Sequence, residues 1–428
     1  MPSSLHRLAI VCLVFVTVSS AREAFSQAIQ ATPAKVMVDQ PAIITVTGLQ
    51  PHQRVTVEAD LIDGASQTWT SKADFAADDA GSIDTSKQAP EKGSSYRIVS
   101  AMGLIWSMKP AGRDAHSYKA AHNSQDIHLA LIVDGHPVSE THLQQIFVPP
   151  DIQKVHLTGG LHGTLYLPGG AGRHPGVLVV GGSEGGLPAP KAIWLASHGY
   201  AALALAYFHY EGLPAQLQNI PLEYFGEALA WMQQRAEIDP ARIAVMGTSR
   251  GGELALQLGS MYPAIHAVVA YVPANQRYAA CCSFNSGAAW TWKGMPLAYA
   301  VPASHSSSPN DPAAEIAVEH THGPILVIAG QDDDVWPSDP MTSAVTRRLQ
   351  MAHFRYTVQR LDYPHAGHRA GNPMIVPTWS NGVQHPISGQ EESFGGSPEG
   401  NALSSIDAIP KVLDFLSQNL AAAPSPQP

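Results

Sequence analysis

The sequence predicts an α/β fold, in which a mostly parallel β-sheet is flanked by helices, preceded by an all-β sandwich domain. Short segments of alternating apolar residues, separated by turns, run from about residue 36 to residue 147. This pattern is typical of a small β-sandwich. After Pro149 and Pro150, apolar strand-like runs alternate with helix-like segments. Such alternation indicates a parallel sheet covered by helices.

Length and composition are those of a globular protein with a large core. The chain has 428 residues, of which 45% are hydrophobic and 14% are charged, and this length favours more than one domain. Its formal net charge is -10 and it has no long basic run. We therefore expect a mildly acidic soluble protein whose partners include neither nucleic acid nor an anionic membrane surface.

The N-terminus has the composition of a secretory signal peptide. A short segment carrying Arg7 precedes an apolar stretch from Leu8 to Val18, and small residues follow that fit cleavage after Ala21 or Ala28. A membrane anchor is the rival interpretation, but the apolar run is well below the ~20 residues that span a bilayer. We assign residues 1–28 to a signal peptide and expect an exported protein, periplasmic or secreted, with no membrane span in the mature chain.

The three cysteines do not form a disulfide framework. Cys12 lies in the signal segment and follows Val11, whereas a lipoprotein cleavage site has a small residue there. Cys281 and Cys282 are adjacent, so they form either a strained vicinal bridge or two thiols. We expect neither a lipid anchor nor disulfides that hold distant segments together.

Residues 29–149 are predicted to form the sandwich domain. In "AIITVTGLQPHQRVTVEADL" one apolar alternation includes Ile44 and Val46, and a second begins at Val55 after the turn over 48–53. We interpret the pair as a β-hairpin. A later alternation in "DIHLALIVDG" predicts a further strand, and no cluster of catalytic residue types occurs in this half.

Residues 150–421 are predicted to form the α/β domain. "LEYFGEALAWMQ" has the apolar spacing of a helix. Segments 275–320 and 371–400 are irregular and rich in small or polar residues, so we expect loops over one edge of the sheet. The tail, 422–428, is predicted to be disordered. The candidate buried strands are 176–181, 201–207, 242–247, 266–271, 324–330 and 356–361.

A candidate nucleophile lies between a predicted strand and a predicted helix. Gly247, Ser249 and Gly251 form G-x-S-x-G. At such a strand-to-helix turn a serine hydroxyl projects above the sheet, and the glycines remove Cβ atoms that would clash. The backbone N–H of Arg250, at the start of the helix, can stabilise an oxyanion. An ordinary structural Gly-Ser turn is the alternative.

An acid and a base follow in the order that a serine nucleophile needs. Asp332, Asp333 and Asp334 follow one predicted strand, and His365 and His368 follow the last one. We choose Asp333 as the acid for its G-x-x-D spacing and His368 as the base because a glycine precedes it. The neighbouring aspartates are expected to be solvated or to cap turns, and His365 to lie at the surface or behind the site.

Further residues could complete this site. The loop "GGSEGGLP" offers Gly182 or Ser183 as a second backbone oxyanion donor and Glu184 as a hydrogen-bonding group at the rim. Its spacing fits neither nucleotide-binding pattern. Trp290 and Trp292 either line an acyl pocket or serve as packing anchors. No helical H-x-x-x-H and no close Cys/His set occurs among the 20 histidines, so we expect no metal and no cofactor.

Eight segments distributed over nearly the whole mature chain carry a family resemblance: "VDQPAIITVTGLQP", "AMGLIWSMKP", "LALAYF", "IPLEYFGEALAWM", "GTSRGGELAL", "GPILVIAGQDDDVWPS", "YPHAGH" and "GGSPEGNALSSIDAIPKVLDFL". They resemble the acyl-CoA thioesterase and bile acid-CoA:amino acid N-acyltransferase (BAAT) family. The resemblance implies an immunoglobulin-like domain before an α/β-hydrolase domain. It also implies a nucleophile, acid and base at Ser249, Asp333 and His368.

The resemblance also bears on the reaction. Members that conjugate amino acids use a cysteine nucleophile, whereas this chain has a serine, which favours hydrolysis of an acyl thioester or carboxylic ester. The segment 275–320 resembles that of bacterial relatives, so we expect a bacterial exported member. Two alternatives stay open: acyl transfer to an amine or alcohol, and a non-catalytic exported binding protein whose sandwich domain recruits a partner.

Overall fold

The computed structural model describes most of the chain. The predicted disordered tail and the signal segment up to residue 25 lie outside the described residues. The first strand begins at Ala28, one residue before the predicted start of the sandwich domain. None of the helices within the described residues is both long and apolar enough for a membrane span. The described residues are 26–112, 116–282, 287–301, 311–380 and 382–421.

The first half of the chain forms two β-sheets. A six-stranded sheet has the order β2-β9-β8-β4-β5-β7, and a three-stranded sheet has the order β1-β3-β6. Buried residues of both sheets meet in one apolar core, as expected of two packed layers. The elements are β1 Ala28–Thr32, β2 Lys35–Met37, β3 Ile43–Thr47, β4 Arg54–Ile62, β5 Thr68–Ala76, β6 Ile83–Asp84, α1 Gly103–Trp106, β7 Lys109–Pro110, β8 Ser124–Val133 and β9 His136–Ile146.

The predicted hairpin between β3 and β4 is wrong. Strand β3 pairs with β1 and β6, whereas β4 pairs with β5 and β8 in the other sheet. Alternation specifies which face of a strand is buried but not which strand lies beside it. Ile44 and Val57 are buried in the same core from opposite sheets, so the segment between β3 and β4 crosses from one layer to the other. The immunoglobulin-like assignment stays a prediction.

The second half contains the elements that position the candidate site. Strands and helices alternate along this half of the chain, as predicted. The elements are β10 Gln153–His156, β11 His162–Leu167, β12 His174–Val180, α2 Ala189–Ser197, β13 Ala201–Ala206, β14 Ile220–Pro221, α3 Glu223–Gln233, β15 Ile238–Thr248, α4 Arg250–Met261, β16 Ala267–Tyr271, β17 Trp290–Trp292, β18 Met295–Pro296, a 3-10 helix Val318–His320, β19 Ile325–Gly330, α5 Ser338–Met351, β20 Val358–Tyr363, β21 Val383–Gln384, β22 Glu391–Glu392 and α6 Pro398–Asn419.

An eight-stranded sheet in the order β10-β11-β13-β12-β15-β16-β19-β20 is the centre of this half. The six strands from β13 to β20 in that order pair in parallel. Val177 and Val179 face the layer containing α2 and α6, and Leu178 and Val180 face the layer containing α3, α4 and α5. Burial on both faces explains the continuous apolar runs. The predicted α/β fold class is confirmed.

The two halves meet through an apolar and hydrogen-bonded contact. Asp39, which is 6% exposed, precedes β3 and accepts hydrogen bonds from α2. Trp194 Nε1 donates to its Oδ2 at 2.9 Å, and His198 Nε2 lies 3.1 Å from the same oxygen. Burial lowers the pKa of His198, but hydrogen bonds to Asp39 and to the Trp194 carbonyl outweigh burial and raise it. The all-β half thus contacts the helix that follows the Gly-rich loop.

Candidate active site

Ser249 occupies a sharp turn between β15 and α4. Its backbone has φ 58° and ψ -123°, and its N–H donates to the Tyr271 carbonyl at 2.9 Å. A non-glycine residue with positive φ is strained by about 1–3 kcal/mol and persists where the surrounding structure holds it. The turn therefore has the geometry that G-x-S-x-G predicts.

The two glycines of the pattern are required by close backbone approach. A Cβ on Gly247 would lie 1.9 Å from the Gly251 carbonyl oxygen, and one on Gly251 would lie 2.2 Å from the Gly181 carbonyl oxygen. Both distances are far below any normal carbon–oxygen contact. Only glycine at both positions lets α4 begin this close to the ends of β12 and β15.

Asp333 and His368 form a buried pair. His368 Nδ1 lies 3.0 and 2.9 Å from the two carboxylate oxygens of Asp333, and the side chains are 7% and 1% exposed respectively. The N–H groups of Val335 and Trp336 donate to Asp333 Oδ1 at 3.0 and 3.3 Å. A carboxylate held in this way favours the tautomer with its proton on Nδ1, which leaves Nε2 of His368 able to accept a proton.

The neighbouring candidates face elsewhere. Asp332 Oδ2 lies 3.4 Å from His365 Nδ1, and their side chains are 54% and 78% exposed. Asp334 Oδ2 accepts a hydrogen bond from Ser393 Oγ at 2.6 Å. Among the three aspartates and two histidines of these loops, the structure brings together the two chosen from the sequence.

The three candidate catalytic residues converge at one edge of the sheet. They follow β15, β19 and β20, whose carboxyl ends are adjacent across β16. Trp336 lines the same cavity as Ser249, and its ring meets the His368 ring edge-to-face at 5.7 Å between centroids. Within the described residues Ser249 and His368 share no hydrogen bond. Such bonds are often long before substrate binds.

A cavity of about 540 Å³ opens over Ser249. The two irregular segments predicted to lie over the sheet edge supply most of its described lining, as is common for loops around a pocket. The lining residues are Ser183, Gln216, Ser249, Arg250, Tyr278, Cys281, Cys282, Val335, Trp336, His385, Ile387, Ser388, Gln390 and Glu392. Cys281 and Cys282 are bonded to each other as a vicinal disulfide, one of the two states that the sequence left open.

The Gly-rich loop corrects part of the predicted oxyanion site. The N–H of Gly182 donates to Glu184 Oε1 at 3.1 Å, so this predicted donor is occupied. Glu184 folds back onto its own loop and is not part of the cavity wall, whereas Ser183 lines the cavity. The N–H of Arg250 is the first of α4, where no preceding helical turn supplies an acceptor. Ser183 and Arg250 are the better placed of the predicted donors.

The two tryptophans proposed for the acyl pocket serve as packing anchors. Trp290 is 1% exposed, donates from Nε1 to Glu253 Oε1 at 2.7 Å and packs against Phe225. Trp292 meets the Tyr262 ring edge-to-face. Neither forms part of the cavity wall described above. The sequence could not distinguish an aromatic residue facing a cavity from one facing the core.

Arg250 and Glu253 form a clamp that the sequence reading missed. The Arg250 guanidinium donates to the carbonyls of Ala279 and Tyr278 at 2.9 and 3.0 Å, and its Nε lies 3.2 Å from Glu253 Oε2. Burial raises the pKa of Glu253, and the charge of Arg250 opposes the rise. A glutamate on the apolar face of "GGELAL" was the available signal. The clamp fixes the cavity wall to the first turn of α4.

Among the described residues no group of three or more His, Cys, Asp and Glu side chains is placed to hold a metal ion.

A lysine side chain lies beneath the candidate nucleophile. Lys191 on α2 donates a hydrogen bond from Nζ to Thr248 Oγ1. The sequence reading missed it. It is the only lysine between Lys154 and Lys293 and begins the apolar run "KAIWLAS", which was the available signal.

Comparison with known proteins identifies the family. Residues 220–422 match the model of the BAAT / acyl-CoA thioester hydrolase C terminal, and residues 39–159 match that of the acyl-CoA thioester hydrolase/BAAT N-terminal region. Human acyl-coenzyme A thioesterase 2, mitochondrial, is 31% identical over 412 residues, covering 89% of this chain and 82% of that protein. The chain belongs to the acyl-CoA thioester hydrolase/BAAT family.

A second curated protein and a solved structure are also similar to this member of the acyl-CoA thioester hydrolase/BAAT family. Human acyl-coenzyme A thioesterase 1 is 31% identical over 412 residues, with 89% of this chain and 94% of that protein covered. A crystal structure of a putative dienelactone hydrolase from Klebsiella pneumoniae subsp. pneumoniae aligns with a TM-score of 0.42 at 18% identity, covering 62% of this chain and 98% of that one. The family resemblance read from the sequence is confirmed.

Proposed function

We propose that this family member hydrolyses an acyl thioester or carboxylic ester through a Ser-His-Asp acyl-enzyme mechanism. The observation that carries the proposal is the buried His368–Asp333 pair at the sheet edge where Ser249 occupies a strained turn. A serine hydroxyl is a weak nucleophile unless a base removes its proton, and the base must be held in the correct orientation. The Asp333 carboxylate holds the His368 imidazole in one orientation, which supports its assignment as this base.

The proposed reaction has two steps, acylation of Ser249 and hydrolysis of the acyl-serine. Ser249 Oγ attacks the substrate carbonyl while His368 Nε2 takes its proton, and the bond to the leaving group breaks as His368 returns that proton to it. Water, activated by the same imidazole, then releases the acid from the acyl-serine. Asp333 stabilises the imidazolium at both steps. In this mechanism the N–H of Arg250 and the N-terminal end of α4 stabilise the oxyanion.

The first test is covalent labelling of the intact protein by a fluorophosphonate probe, which reacts with activated serines. We expect a single adduct on the peptide that carries Ser249, measured by mass spectrometry, and no adduct on that peptide after Asp333→Asn. Asp332→Asn is the matched control and should label like the wild type. A protein that takes up no probe would fit the non-catalytic binding alternative and contradict the proposed mechanism.

The charges of the cavity favour an uncharged leaving group. Among the described lining residues Arg250 is the one lysine or arginine, and its guanidinium is committed to two carbonyls and Glu253. Glu392 adds a carboxylate to the wall. The phosphates of coenzyme A would face this carboxylate, and the described lining offers them no uncommitted lysine or arginine. Export, proposed from residues 1–28, favours the same conclusion because coenzyme A is an intracellular cofactor.

The second test compares one acyl group on three leaving groups: p-nitrophenol, N-acetylcysteamine and coenzyme A. We expect higher kcat/KM for the two uncharged substrates. Glu392→Lys should raise kcat/KM for the CoA ester, about 10-fold for one reversed charge pair near the site, and leave that for the p-nitrophenyl ester unchanged. A wild-type preference for the CoA ester would contradict the leaving-group proposal and leave the labelling result intact.

A further inference from the structure

Lys191 lies directly beneath the turn that carries the candidate nucleophile. It is in the first turn of α2, and its Nζ hydrogen-bonds to Thr248 Oγ1. The same Nζ lies 3.8 Å from the centroid of the Tyr271 ring, within the range of a cation–π contact. One ammonium group thus joins α2 to the ends of β15 and β16.

Both partners of Lys191 are bound to Ser249 through the backbone. Thr248 precedes Ser249, and the Tyr271 carbonyl accepts the Ser249 N–H at 2.9 Å. Tyr271 is 1% exposed, and its hydroxyl has no hydrogen-bond partner among the described residues. The buried ring therefore contributes its face to the cation, and a shift of the ammonium would be transmitted to the Ser249 turn.

The charge of Lys191 depends on pH in the neutral range. Burial lowers its pKa to about 7, and the negative charge of Glu184 opposes this decrease. Glu184 is exposed and makes no direct ion pair with Lys191, so water screens part of its effect. Burial raises the pKa of Tyr271 well above the neutral range. Glu184 is thus the charged group facing Lys191, and Tyr271 stays neutral.

We propose that Lys191 is a positioning residue for acylation, whose protonated ammonium holds the Ser249 turn through Thr248 and Tyr271 and adds positive charge behind the oxyanion site. The proposal rests on the hydrolase mechanism above. Negative charge develops on the substrate oxygen in the transition state, and a fixed positive charge in a site of low dielectric stabilises it. Loss of the Lys191 proton removes both the charge and the contact with the Tyr271 ring.

The test is the pH dependence of kcat for lysine variants of the full chain. The wild type should lose activity as pH rises through the neutral range, because Lys191 loses its proton. Lys191→Met should lower kcat at mildly acidic pH about 10- to 100-fold, the range expected for one nearby charge, with KM unchanged and no alkaline decrease. Lys191→Arg should restore kcat and keep it at alkaline pH, because a guanidinium stays protonated.

Two further variants separate this role from a structural one. Glu184→Gln should shift the alkaline decrease to lower pH, because the charge that favours the Lys191 ammonium is removed. Lys293→Met, which alters an exposed lysine, should behave like the wild type. The proposal would be overturned if kcat of Lys191→Arg still decreased at alkaline pH, or if kcat of Lys191→Met equalled that of the wild type. Absence of probe labelling at Ser249 would instead refute the mechanism on which it rests.

Discussion

Ser249→Ala and His368→Ala are each expected to lower kcat about a million-fold, and the double variant should lose no more. The losses are not additive because the serine cannot be activated without the imidazole, and the imidazole has nothing to activate without the serine. A small rate above that of water should remain, supplied by oxyanion donors and substrate binding. The measurement is kcat on an uncharged p-nitrophenyl ester, with thermal unfolding to show that each variant folds.

The chain provides matched controls for this experiment. His365 is three residues before His368 and also pairs with an aspartate, but its side chain is 78% exposed, so His365→Ala should keep wild-type kcat. Asp333→Asn should lower kcat about 10⁴-fold because the wrong imidazole tautomer is favoured, whereas Asp332→Asn should not. Equal losses in the His365 and His368 variants, or additive losses in the double variant, would rule out the assigned roles.

The candidate site was largely predictable because its signals are local. A buried strand followed by G-x-S-x-G and a helix constrains the backbone so tightly that the turn at Ser249 follows from steric exclusion at two glycines. Asp333 and His368 follow two other strands of the parallel part of the same sheet, and the carboxyl ends of parallel strands meet at one edge. Chain order and strand ends were therefore sufficient to bring these side chains together.

What the sequence missed depends on contacts between distant segments. Lys191 reaches Thr248 across 57 positions, and Glu253 meets Trp290 across 37, so no periodicity or spacing relates them. The wrong β3–β4 pairing has the same origin, because alternation within a strand carries no information about its neighbour. Gly182 was predicted as an oxyanion donor, but its N–H donates to the Glu184 side chain instead. This hydrogen bond is visible only once the loop is folded.

Arg250→Met is expected to lower the free energy of unfolding by about 3–5 kcal/mol, because it removes the main charge partner of the buried Glu253. The two side chains are 6% and 0% exposed, so water cannot replace the lost partner. The hydrogen bonds from Arg250 to the carbonyls of Tyr278 and Ala279 are also lost. Urea denaturation measures the change. Arg242→Met is the matched control: its pair with Asp239 is 18% and 28% exposed, and such pairs contribute about 0–1 kcal/mol.

The pH dependence of stability distinguishes the loss of the main charge partner of Glu253 from a loss of packing. Burial raises the pKa of Glu253 in the folded protein, so the stability linked to its protonated form is present at acid pH and is lost as pH rises through that raised pKa. In Arg250→Met the charge that most strongly opposes the rise is gone, and the weaker effect of Arg277 remains, so the pKa of Glu253 rises further. The difference in free energy of unfolding between Arg250→Met and the wild type should therefore become smaller at acid pH. At neutral pH the double variant Arg250→Met/Glu253→Gln should regain much of the stability that Arg250→Met loses. If Arg250→Met removed only packing contacts, its loss of stability would be the same at every pH, and Glu253→Gln would lower the stability further.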